Sequence, residues 1–125
     1  MKVILNDNEV KRIIDDAFCN SSSLIYGDLY ITYSDVDYEE AKKAFKSNCI
    51  EDVWLKMLEM GKTLYLVDVE NMEKKAFNYE SIKEKLNSGD EHLAEMIMES
   101  LAEVGDAHTA DNLLQYMVYG DIVYC

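Results

Sequence analysis

Histidine, cysteine and carboxylate side chains are the groups in this chain able to move a proton, hold a metal or attack an electrophile. His92 and His108 are separated by 16 positions, and the cysteines Cys19, Cys49 and Cys125 form no Cys-x-x-Cys pair. A structural or catalytic metal needs clustered ligands, and this spacing supplies none. His108 stands close to Asp106 and Asp111, which allows a carboxylate–imidazole pair. The commoner meaning of that pattern is a polar first helical turn whose acids are favoured by the helix dipole. Cys19 or Cys49 with a histidine would make a thiol enzyme, but both fall at helix ends. Lys46 is the one nearby cation able to lower a thiol pKa. The five glycines are scattered singly, so no phosphate-binding loop exists, and no local signature selects a nucleophile. The alternating acids of a calcium loop are also missing. The residues therefore predict no catalytic group, no cofactor, no metal and no enzyme.

Charge is more informative. The 125 residues carry 25 acids against 12 bases, a net charge of −13. Such a surface repels nucleic acid and anionic lipid, and it attracts cationic protein surfaces. Solubility alone is the plainer meaning of the same number. The acids gather in three groups: Asp35, Asp37, Glu39 and Glu40; Asp68 and Glu70; and Glu99, Glu103, Asp106 and Asp111. Each is either a solvated face or an anionic patch for lysine and arginine. Asp35, Asp37, Glu39, Glu40, Asp106 and Asp111 are the residues expected to form a partner surface.

The elements that must position these groups follow from periodicity. Thr63 to Glu70 is the strongest strand, apolar on both faces, and reads as an interior strand with cover on both sides. Lys2 to Leu5 reads as a short strand before a helix that Asn6 and Glu9 start as a capping box, with Leu5 against Val10. Val10, Ile13, Ile14, Ala17 and Phe18 form its apolar face. Asn20 to Ser23 reads as loop. Leu24 to Ser34 reads as strand, turned at Gly27-Asp28, with tyrosines that serve either as a binding surface or as sheet packing. A helix capped by Asp37 and Glu40 follows, then one capped by Asn48 and stopped at Gly61, with Trp54 as a core anchor. Lys74 to Asn78 returns as a hairpin strand. A short helix follows at Tyr79–Leu86, then a longer one from Asp90 with a methionine-rich face, and a last one from Asp106 to Gly120. Asp121 to Cys125 reads as a terminal strand that would pair with its twin if it lay at a sheet edge, giving a homo-oligomer.

The second half carries Asp68-Val69-Glu70, Asp106-Ala107, Ala110-Asp111, Leu114-Gln115-Tyr116 and Gly120-Asp121-Ile122-Val123-Tyr124. In these it resembles small acidic uncharacterised proteins of phages and integrating mobile elements. Cys125 stands where that likeness leads one to expect glycine. The resemblance brings no catalytic residue. It implies a setting among phage accessory proteins that counter host defence, which are often short, acidic and non-enzymatic.

These observations predict a single α+β domain over residues 1–125. Four to five strands in a mixed or antiparallel sheet would be accompanied by about six helices. The odd cysteine count predicts reduced thiols in a cytoplasmic protein. The early polar residues Asn6 and Asp7 argue against a signal peptide, and no apolar run is long enough to span a membrane. The expected function is an acidic interaction protein that inhibits a basic, nucleic-acid-binding host protein, in part as a nucleic-acid mimic. The alternative is a small-molecule or nucleotide binder, or an unrecognised enzyme, with its site between sheet and helices.

Overall fold

A computed structural model describes residues 4–47, 49–87 and 91–122. The element around which the chain packs is the helix α7 (Ala107–Tyr119), whose residues from Ala110 to Val118 are all buried. Its sequence shows the expected stripe of Ala110, Leu113, Leu114, Met117 and Val118. Asp111, Asn112 and Gln115 are buried as well. A helix covered on every side needs neighbours on every side. Here they are α1 (Asp7–Asn20), α2 (Ser22–Tyr26), α5 (Tyr79–Asn87), α6 (Glu91–Leu101) and strand β3 (Glu73–Phe77). The sequence singled out Thr63 to Glu70 as its strongest element; the helix that these five elements surround is α7.

The start of α1 forms as expected. Asn6 Oδ1 accepts from the Glu9 amide at 2.9 Å, and the Glu9 carboxylate accepts from the Asn6 amide at 3.0 Å. Val10, Ile13, Ile14, Ala17 and Phe18 are its buried residues. Helix α5 clasps this start from the side. Asn87 Oδ1 accepts the Leu5 N–H, and the Tyr79 hydroxyl donates to Asp7 at 2.6 Å. Helices α3 (Asp35–Ala44) and α4 (Ile50–Glu59) pack on each other, and α4 also lies against α1. Trp54 is half-buried, with its ring edge-on to Phe18 at 5.5 Å. Gly61, at φ +80°, closes α4 by letting the amides of Gly61 and Lys62 reach back to Leu58 and Met57.

The sheet is three-stranded and antiparallel among the described residues, in the order β1 (Leu29–Thr32), β2 (Leu64–Asp68), β3. This corrects the expected four to five strands. The helix number agrees: six longer helices and the five-residue α2. Three readings account for the difference. Ile4 and Leu5 are not in a strand, and residues 2 and 3 lie outside the described set. Leu24 to Tyr26 belong to α2, so the first strand begins only at Leu29. Asp121 and Ile122 are not in a strand, and the remainder of the expected terminal strand lies outside the described residues. So do Asn48, Ser88, Gly89 and Asp90, which the sequence assigned to a cap, a helix stop and a helix start.

β2 is the interior strand, as its composition implied, but only one face is covered by the main core. Leu64 and Leu66 point inward with Leu29, Ile31 and Phe77. On the opposite face Tyr65 is partly open to solvent beneath Lys74, whose ammonium lies 5.7 Å from the ring centre. Val67 is buried on that face all the same, with Tyr30 and Lys74 as its cross-strand neighbours. The two faces give adjacent residues different costs. Leu66→Ala is expected to lower unfolding free energy by about 3 kcal/mol, from lost burial and a cavity. Tyr65→Ala is expected to cost about 1 kcal/mol or less. Urea denaturation of the two variants checks the difference.

Candidate acidic grooves

The expected partner-surface residues do not lie together. Asp35, Asp37, Glu39 and Glu40 occupy the first turns of α3, whose cap lies three residues earlier than the Asp37 cap that the sequence suggested. Ser34 takes the cap position without a side-chain hydrogen bond. Lys62, placed by the turn at Gly61, reaches back to this cluster. Its Nζ lies 2.7 Å from Glu40 and 3.6 Å from Asp37. The ammonium holds the Glu40 carboxyl below the usual carboxylate range, and Glu40 in turn raises the pKa of Lys62. Lys42 and Lys43 close the same helix. The α3 patch is therefore partly neutralised from within.

Asp106 caps α7, accepting from the Thr109 amide at 2.9 Å, and the bonds from Thr109 lower its pKa. Asp111 is not on the surface. Only 6% of it is exposed, and its carboxylate accepts three hydrogen bonds. Oδ1 accepts from the Ser21 hydroxyl at 2.8 Å and from the Ser23 amide at 3.2 Å. Oδ2 accepts from Gln115 Nε2 at 3.1 Å. Ser21 Oγ in turn accepts from the Leu24 amide. A carboxylate 88 residues further along the chain thus satisfies the Ser23 amide in the first turn of α2, while the local cap Ser21 takes that of Leu24. Sequence reasoning made this segment loop and strand because its helix-forming partner is remote.

Two concavities open on either side of α2. The first, of about 440 Å³, lies between α1, α2 and the α6–α7 turn. Its carboxylates are Asp15, Asp16, Glu103 and Asp106, and its one cation is Arg12. Arg12 donates to the Leu101 carbonyl at 2.7 Å, capping the end of α6. Asp16 accepts from Ser100 and Asn20, which fixes its orientation. Glu103 sits at φ +60°, a left-handed backbone that disfavours a glutamate, yet it places a carboxylate at this rim. The second concavity, of about 400 Å³, lies between α2, the ends of β1 and β2, and α7. Asp28, Asp68, Glu70 and Asp111 line it, with no lysine, arginine or histidine. Asp68 is buried and holds the hairpin turn, accepting from the Glu70 amide at 3.0 Å and from Asn71 at 2.8 Å.

A third groove of about 400 Å³ between α6 and α7 brings His92 and His108 to one concavity, with Glu95 and Glu99. The sequence kept these histidines apart. His92, Glu95, Met96 and Glu99 fall at helical spacing, which is the signal that places them on one face. Across the groove Thr109 donates to Glu99 at 3.2 Å. No group of three histidine, cysteine or acidic side chains among the described residues is arranged to hold a metal ion. The Cys19 thiol is pushed up to about 12, first by burial and then by Asp15 and Glu51, so it stays protonated at neutral pH. No helix among the described residues is long and apolar enough to cross a membrane. Comparison with known protein families, curated proteins and solved structures gives no match for this chain.

Two outcomes follow from the hydrogen bonds. Asp111→Ala strands a buried hydroxyl, amide and carboxamide, and is expected to cost about 3 kcal/mol, with Asp111→Asn costing less. Chemical denaturation of both variants checks this. Asp7 and Asp106 both have folded pKa values below 3.8, Asp7 through Tyr79 and Lys83. Their contribution to stability is present above that pH and is lost as pH falls through the folded values. Replacing Asp106 by Ala should make stability fall less steeply as pH is lowered below about 4, as read by urea melts at successively lower pH.

Proposed function

We propose that this protein acts by binding a basic protein and not by altering covalent bonds. The observation that supports this reading most strongly is the lining of the two grooves beside α2. Eight carboxylates face them, against a single arginine already bonded to a backbone carbonyl. With the net charge of −13, such grooves favour the lysine and arginine side chains of a partner, and they speed encounter with it. A basic surface that normally meets nucleic-acid phosphates has the matching chemistry. The resemblance to short acidic phage and mobile-element proteins supports the setting of an accessory inhibitor, occupying the nucleic-acid site of a host protein. The raised pKa of the Cys19 thiol, which lies beside Asp15, is consistent with a role without nucleophilic chemistry.

The groove between the sheet end and α7 also suits a small cationic ligand, and its four carboxylates disfavour a nucleotide. Two measurements separate the readings. Affinity capture from a bacterial lysate, at about 50 and about 150 mM salt, should retain a basic nucleic-acid-binding protein. Added duplex DNA should displace it. Absence of a specific partner at both salt concentrations contradicts the proposal. A large rise in melting temperature with a polyamine, and no protein partner, would favour the small-ligand reading instead.

A further inference from the structure

Helix α2 is the ridge between the two acidic grooves. Residues two apart on a helix point about 200° from each other. Accordingly Ser23 lines the groove beside the sheet, while Ile25 lines the groove beside α6. Ile25 is 60% exposed and the adjoining Tyr26 is 81% exposed. Scattered apolar side chains on a surface are ordinary. These two are neighbours on one short helix, and carboxylates flank that helix on both sides. Asp111 bonds to the start of the ridge, and Gly27, at φ +81°, ends it. Its backbone is therefore set before any partner arrives, which lowers the ordering cost of association.

An exposed aliphatic–aromatic pair inside a ring of charge has the anatomy of a protein-binding centre, with apolar anchors in the middle and polar groups at the rim. A second copy of the chain is a poor occupant, since it would bring carboxylates against carboxylates. Resting on the reading that the partner is basic, we infer that α2 is the docking ridge. Ile25 and Tyr26 enter an apolar depression on the partner. Arginine or lysine side chains beside that depression enter the grooves marked by Asp15 and Glu103 on one side and Asp28 and Glu70 on the other.

The test uses two synthetic helical peptides of equal positive charge. One carries leucine and phenylalanine among its arginines, and the other has serines at those positions. Each is titrated into the isotope-labelled protein, reading affinity and amide chemical shifts. The anchored peptide should bind at least about tenfold more tightly, a difference of about 1.4 kcal/mol. Its largest shifts should fall on Ser23 to Asp28 and on the groove residues. The double variant Ile25→Ser, Tyr26→Ser should abolish that advantage, so that the two peptides bind it with equal affinity. Both side chains are exposed, so an unaltered melting curve is expected. Equal affinity for the two peptides, or shifts centred on Asp35 to Glu40, would overturn the docking ridge while leaving a basic partner in place. Failure of both peptides to bind would overturn both proposals.

Discussion

The carboxylate of Asp111 is the interaction on which the rest of the molecule depends. It lies within α7, which packs against α1, α2, α5, α6 and β3. From there it gathers the end of α1 and the start of α2 through Ser21 and Ser23. A buried charge is tolerated only when its lone pairs are satisfied, and here three donors meet it. The bonds have a structural consequence beyond themselves. They turn the chain sharply after α1, set α2 across the end of α7 and leave a groove on each side. Without that corner, the acids of α1 and those of the hairpin turn would have no common frame.

The distribution of charge follows from the same corner. Cations in this protein are few, and many are already occupied. Lys62 is bound to Asp37 and Glu40, Lys83 to Asp7, and Lys11 and Lys56 to Glu59. Lys42 lies over the Tyr38 ring and Lys74 over Tyr65. These contacts soften the field at α3, α4 and the outer sheet face. Little cationic charge reaches the two grooves around α2. The most acidic part of the sequence by simple spacing, Asp35 to Glu40, is thus a weaker candidate for a partner surface than acids dispersed from Asp15 to Asp106.

Local chemistry was legible wherever it decided the structure. The capping box at Asn6 and Glu9, the stop at Gly61, the hairpin after β2 and the cap at Asp106 could be read because each depends on residues within a few positions. The α2 segment could not be read, because its cap Ser21 and its Ser23 amide are both held by the remote Asp111. Helix α3 departs from its local pattern too: Asp37 and Glu40 suggested a capping box, yet the helix begins earlier, from Ser34, without a side-chain cap. The grooves were hidden for the same reason. Asp15 and Asp106 meet only through the packing of α1 against α6 and α7, and Asp68 and Asp111 only through the sheet end. Composition gave the sign and size of the charge; tertiary packing decided where it is uncompensated.

The most direct measurement of that placement is residue-by-residue electrostatic potential from NMR relaxation by paired cationic and anionic paramagnetic cosolutes. The account predicts the strongest preference for the cation at amides of α2 and the two groove rims, including Asp28 and Glu103, and a weaker one along Asp35 to Glu40. A potential spread evenly over the surface, or strongest at α3, would contradict it.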